Sequence, residues 1–173
     1  STPIVWDEHV FVSETYGPGA ALLKFSPGGY ETVWTDAAKR RDKSMQTHWN
    51  TPVYHAGYIY GSSGRHSQNA ELRCIQAATG KVMWNQPGLS RCSLLYVDEH
   101  LICLSEYGTL RVLKATPERY EVVSEFTPTV LPSDGPAEPM LKYPAWAAPA
   151  LSHGMLYVRG KDRLLCYDLA ATP

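Results

Sequence analysis

Short apolar runs follow one another along the chain, each bounded by Gly, Pro, Asn or Ser. Val53-Tyr54, Tyr58-Ile59-Tyr60 and Val82-Met83-Trp84 are examples. Runs of this length, rich in Val, Ile, Tyr and Trp, predict strands. No window of a dozen residues carries a helical period, and 37–45 is expected to make one surface turn. Within 49–86 the pattern predicts four strands. Ala56-Gly57 is the first hairpin turn, Ser62 to Asn69 a polar loop, and Ala77-Ala78-Thr79-Gly80 the last turn.

The pattern repeats. Asp7-Glu8-His9 recurs as Asp98-Glu99-His100, with an apolar strand behind it each time. Degenerate copies are His55-Ala56-Gly57-Tyr58 and Ser152-His153-Gly154-Met155. A second element follows each copy and aligns without gaps on Lys24, Cys74, Val112 and Cys166. The unit is about 40 to 55 residues long, the range of propeller blades. Four units are expected, over approximately 1–36, 49–86, 91–127 and 143–173.

A four-strand cassette cannot bury both faces of its own sheet. Stacking cassettes around an axis solves this and leaves only short edges. A two-layer sandwich is the alternative, but it does not require one cassette to recur. The expected fold is all-β: a single partial domain, a propeller arc of about four four-stranded blades.

Cys74-Ile75-Gln76-Ala77-Ala78-Thr79-Gly80-Lys81-Val82-Met83-Trp84 resembles the tryptophan-docking repeat of quinoprotein (PQQ-like) β-propellers, A-x-D-x-x-T-G-x-x-x-W. Thr79, Gly80 and Trp84 match it, while Cys74 and Gln76 replace Ala and Asp. Trp34 matches in the first unit, Val122 stands at the Trp place in the third, and the fourth keeps Asp168. In this family the indole packs flat between blades, so the resemblance gives Trp34, Trp84, Thr79 and Gly80 a structural docking role. The likeness extends over nearly the whole chain. In flavour it is closest to BamB-like, planctomycete-type members, which have about eight blades. The resemblance implies the C-terminal half of such a ring, with an open seam. The expected partner is the missing half or a second copy closing the ring, and a further protein partner is allowed. It also implies a periplasmic or secreted setting, although the chain, opening at Ser1, displays no signal peptide.

Composition narrows the function. The 173 residues carry 16 Lys plus Arg against 17 Asp plus Glu, a net charge of −1, which gives no support to nucleic acid as a partner. No apolar run reaches the ~20 residues of a membrane span. The four cysteines, Cys74, Cys92, Cys103 and Cys166, form no C-x-x-C pair, so zinc, thioredoxin-type and haem motifs are unsupported. They read as small buried hydrophobes.

No catalytic residue and no metal site can be named. Quinoprotein dehydrogenases resemble one another in an adjacent Cys-Cys pair and a calcium site, and this chain has no Cys-Cys. PQQ and calcium are therefore not expected. Lys39-Arg40-Arg41-Asp42-Lys43 reads as a solvated loop, Tyr16-Gly17-Pro18-Gly19 as a turn, and 127–144 as an extended connection. Trp49 and Trp146 each stand three places before a proline, Pro52 and Pro149, in linkers entering a unit. Such linkers gather on one face of a propeller. His48, Trp49, Asn50, Tyr143 and Trp146 are thus a candidate axial-face binding patch, unless both indoles merely pack against neighbouring blades. The reading is a non-catalytic scaffold for protein or ligand binding in an exported bacterial protein. The alternative is a fragment of a PQQ-dependent oxidoreductase whose catalytic residues lie in the other half.

Overall fold

A computed structural model describes residues 1–170. It is all-β apart from one 3-10 turn at Ser67–Asn69. Strands β1 (Ile4–Trp6), β2 (His9–Ser13), β3 (Ala20–Ser26) and β4 (Gly29–Thr35) form the first sheet. The second holds β5 (Val53–His55), β6 (Tyr58–Ser63), β7 (Glu71–Gln76) and β8 (Val82–Pro87). The third holds β9 (Cys92–Val97), β10 (His100–Ser105), β11 (Leu110–Lys114) and β12 (Val122–Phe126). A two-stranded hairpin follows, β13 (Thr129–Val130) with β14 (Glu138–Pro139), inside the stretch expected to be an extended connection. The last sheet holds β15 (Ala150–Ser152), β16 (Met155–Arg159) and β17 (Leu164–Asp168). The end of the fourth expected unit, 171–173, lies outside the described residues. Every pairing is antiparallel and follows chain order, so each sheet is a meander.

The repeat is written in backbone as well as sequence. The first hairpin turn of each sheet opens with a left-handed residue: Asp7 (φ 47°), Ala56 (47°), Asp98 (46°) and His153 (51°). Turns of that hand match the twist of the flanking strands. His9 and His100, two residues after the left-handed Asp7 and Asp98, open the second strands. Opposite the fourth residue after each turn stand Leu22, Cys74, Val112 and Cys166. The first unit is therefore registered on Leu22, two residues before the Lys24 of the gap-free alignment. A slip of two leaves every side chain on its own face, so the apolar pattern is blind to it. The third unit changes likewise. Trp34 faces Leu22 and Trp84 faces Cys74, whereas Val112 faces Ser124. Ser124, and not Val122, holds the Trp place.

The chain divides into two compact units, one comprising Ser1–Arg91 and Ala115–Tyr120, the other Cys92–Lys114 and the chain from 121 onward. In the first, Phe11, Leu22, Met45, Ile59, Ile75 and Ala77 form one buried cluster across the first two sheets. Five successive residues of β6, Ile59 to Ser63, are buried. Neighbouring strand residues point to opposite faces, so both faces of this sheet are covered. The second unit has its own cluster, including Ile102, Leu104, Leu110, Leu156 and Val158. Outer strands β4 and β12 are exposed almost throughout.

Trp34 joins the two sheets of the first unit. Its Nε1 donates to Ala77 O at 2.8 Å, and its ring lies tilted against Phe11 at 6.1 Å. A Cβ on Gly80 (φ +70°) would come within 2.9 Å of the indole. Trp84 repeats the arrangement within the same unit, donating to Thr116 O at 2.9 Å and tilting against Tyr60 at 6.1 Å. Gly80→Ala should therefore destabilise by about 1–3 kcal/mol through overpacking, with added strain from its left-handed backbone. Trp34→Phe should cost about 1 kcal/mol or more from the lost hydrogen bond and ring contacts. Urea unfolding of both variants and of the double variant checks this. Strictly additive losses would show that the glycine and the indole do not act together.

Candidate functional site

In a meander, the turn between second and third strands and the link leaving the fourth strand emerge at the same end of the sheet. In the first unit that end carries Tyr16 (β2–β3 turn), His48 to Asn50 (β4–β5 link), Arg65 and His66 (β6–β7 loop), and Arg91 (after β8). His48 sits between two of them. Its Nε2 is 2.9 Å from the Tyr16 hydroxyl and its Nδ1 is 3.3 Å from an Arg91 guanidinium nitrogen. Arginine has no acceptor, so Nδ1 must accept and Nε2 carries the proton, donating to Tyr16 Oη. Arg91 also donates to Arg65 O at 3.1 Å, and the Arg65 guanidinium lies 5.0 Å above the centre of the Tyr16 ring.

Burial, and then the charges of Arg91, Arg65, the Ser1 ammonium and His66, hold His48 below the ordinary histidine value of 6.5. Glu14 is the nearby carboxylate, and it accepts the backbone N–H groups of Tyr16 (2.5 Å) and Gly19 (3.4 Å).

Asn50 differs from its expected place in a patch. It is buried, its Nδ2 donates to Ser62 O at 3.0 Å, and its Oδ1 accepts from the His48 N–H at 3.3 Å. It holds the link in place and presents nothing outward. Trp49 is half-buried beside it.

The other expected patch residues belong to the second unit. Tyr143 stacks on Tyr107 at 5.2 Å and meets Trp146 edge-on at 6.2 Å. All three rings are exposed. Trp146 is fixed from below: Nε1 donates to the fully buried Glu106 Oε2 at 3.2 Å, and its carbonyl accepts from Ser93 Oγ at 3.3 Å. Tyr107, Tyr143 and Leu141 line a cleft of about 290 Å³. Sequence reasoning missed Tyr16, Arg65, Arg91, Glu106 and Tyr107. Glu14 and Glu106 directly follow β2 and β10, but they stand out of step in the repeat, so the repeat offers no pointer to them.

Of the other residues singled out, Trp34 and Gly80 meet as described, and Thr79 is bonded within its own turn, to Gln76 Oε1 at 2.7 Å. Burial pushes the Cys74 thiol to about 12. A hydrogen bond with Cys92 and complete burial raise Cys103. Thiols so placed are unreactive. Cys166 departs from the buried-hydrophobe expectation and is exposed. Among the described residues, no three His, Cys, Asp or Glu side chains gather so as to hold a metal ion. None of their helices is long and apolar enough to cross a membrane.

No protein-family model matches the sequence, and no curated protein matches it. Solved structures are similar in fold. Against BamB from Moraxella catarrhalis the TM-score is 0.63 at 15% identity, covering 95% of this chain and 41% of that one. The computationally designed Ika8 protein gives 0.61 at 10%, with 96% and 45% covered, and the designed Ika4 protein 0.61 at 9%, with 97% and 89% covered. The quinohemoprotein alcohol dehydrogenase ADHIIG from Pseudomonas putida HK5 gives 0.56 at 17%, covering 91% of this chain and 27% of that one. The fold of the sheets is that of β-propeller blades, as in these structures. The chain spans less than half the length of BamB and of Ika8. The planctomycete-type flavour of the sequence finds no support among these structures.

The proton balance of His48 gives a test. A folded value below 6.5 means that the unfolded chain binds the extra proton between the two values. Stability from neutral His48 is complete above 6.5 and is lost as pH falls through that window. The urea midpoint should therefore fall more steeply from about pH 7.5 to about pH 5.5 in the native protein than in His48→Gln. Parallel pH profiles would remove His48 from the cationic cluster.

Proposed function

We propose that the chain is a non-catalytic propeller scaffold that binds a protein or ligand partner in an exported bacterial protein. One observation carries the reading. Aromatic and arginine side chains at the loop ends are exposed, yet held by less exposed groups: Tyr16 and Arg65 through half-buried His48 and buried Arg91, Trp146 through buried Glu106. Fixed aromatic and arginine side chains carry much of the energy at protein interfaces. On this reading His48 and Trp49, with Asn50 as their support, belong to a binding surface of the first unit, and Tyr143 and Trp146 to a separate one of the second. Trp34, Trp84 and Gly80 dock sheet to sheet.

The runner-up, a fragment of a PQQ-dependent oxidoreductase, draws on the likeness to ADHIIG. Adding PQQ and calcium to the complete protein separates the two. The scaffold reading expects no stoichiometric quinone absorbance on the protein, and clear binding overturns it.

The expected partner in assembly is the rest of a longer ring or a second copy of this chain. A designed protein of nearly this length, Ika4, and one about twice as long, Ika8, share the fold. Exposed apolar side chains on outer strands, Val122, Val123, Phe126 and Leu164, favour burial against another sheet. Light scattering on the isolated chain is expected to give a dimer or larger species. A stable monomer at micromolar concentration overturns ring closure by a second copy.

A further inference from the structure

The loop end of the first unit holds an unneutralised cation in a fixed place. Arg65 lies within ion-pair reach of no carboxylate among the described residues; other exposed cations share that, but the Arg65 guanidinium is set over an aromatic ring, 5.0 Å from the centre of Tyr16. A cation on an exposed loop is ordinarily a mobile, hydrated group. This one is held at its carbonyl and at its guanidinium. Gly64 precedes it at φ +127°, and a Cβ there would come within 2.8 Å of Ala70 Cα and Asn69 O, so the loop has little room to move. The Gly64 N–H donates to Gln46 O at 2.8 Å. The Arg65 carbonyl accepts from Arg91. Its guanidinium rests on the Tyr16 ring, and Tyr16 is held in turn by His48.

The protonation pattern gives this cluster a direction. With His48 donating from Nε2 to Tyr16 Oη, the phenol keeps its own proton to donate outward, beside the guanidinium. We propose that Tyr16 and Arg65 form a recognition site for a carboxylate, presented by an acidic side chain of a partner protein. The guanidinium supplies a planar pair of N–H donors, which matches a carboxylate edge, and the phenol a third donor. A singly charged group fits the charge available. Arg65 is the one exposed permanent cation in this cluster, since Arg91 is only 8% exposed behind His48. Glu14, the one acid in the cluster, is occupied by two backbone N–H groups. The proposal rests on the reading of this loop end as a binding surface and gives that surface a ligand chemistry.

Tetraglutamate is the probe, read by the His48 ring resonances in the complete protein. The groups facing His48 are Tyr16, Arg91, Arg65, His66 and the Ser1 ammonium, with Glu14 one step away on the Tyr16 backbone. A bound carboxylate offsets the cations among them, so saturating tetraglutamate should shift the His48 signals and move the ring's titration midpoint upward. Arg65→Gln should weaken binding roughly tenfold or more and Arg65→Lys by less, as expected for loss of a charge-assisted hydrogen bond. Tyr16→Phe should weaken it severalfold while keeping the stacked ring. Unchanged urea midpoints would show that these exposed substitutions leave the fold intact. A response from native protein that Arg65→Gln retains in full overturns the site, and so does the absence of any response. A response to inorganic phosphate but not to tetraglutamate also overturns it, in favour of a tetrahedral oxyanion. PQQ binding would remove the scaffold reading and leave these results standing. A silent tetraglutamate titration would remove the carboxylate site and leave the scaffold standing.

Discussion

The contact on which the first unit depends is an indole packed against a glycine. Trp34 leaves the exposed outer strand of one sheet and reaches the last turn of the next, where only a residue without a Cβ lets the ring approach. Two terms act together there. The ring buries apolar area against Phe11 and the turn, which is non-directional. The Nε1–H to Ala77 O bond fixes where along the turn the ring comes to rest. Burial alone would let the sheets slide, and the hydrogen bond alone would contribute only about 1 kcal/mol. The repetition of the pair at Trp84 and Thr116 makes it the rule of this unit.

That arrangement has a consequence for the loop end. The link from β4 to β5 is polar and irregular, yet much of it is buried, so its backbone groups need partners. Asp36 supplies several: it accepts from Ser44 N (2.6 Å), Ser44 Oγ (2.9 Å) and Ala20 N (3.3 Å), and pairs with Lys39 at 2.8 Å. Burial by itself would raise the Asp36 carboxyl, but Lys39 and Ser44 outweigh it and hold it low. Arg73 adds donors to the carbonyls of Lys43 (2.6 Å) and Ser44 (3.0 Å). A link pinned this way delivers His48 to a defined position.

Much of this was legible in the residues. Gly, Pro and Asx punctuation marked the turns, and a Thr-Gly-x-x-x-Trp run marked the sheet-to-sheet wedge. What failed has a common cause. Strand patterns repeat every two residues, so a slip of two is silent, and both register errors, Lys24 for Leu22 and Val122 for Ser124, are slips of two. Side-chain direction in irregular links has no period at all. Asn50 was expected to face outward with His48 and Trp49, and it turns inward to satisfy Ser62 O. Tyr16 and Arg65 lie in separate loops whose meeting only the fold decides.

The third sheet shows what happens where the wedge is lost. Ser124 cannot span to a neighbour, and the aromatic contact moves two residues on along the same face, to Phe126, which meets Tyr167 edge-on at 5.7 Å. Phe126 has no N–H to give, so the contact loses the term that fixes position and keeps only the one that buries area. It remains 45% exposed. The second unit places its directional polar contact elsewhere, in the Trp146 bond to Glu106. There the indole comes from the link and the acceptor is a side-chain oxygen of the buried Glu106. The two units thus solve one problem, fixing how sheets and links meet, with the same side chain attached at different points. In the second unit that choice leaves the indole at the loop end, 42% exposed, where a ligand can reach it.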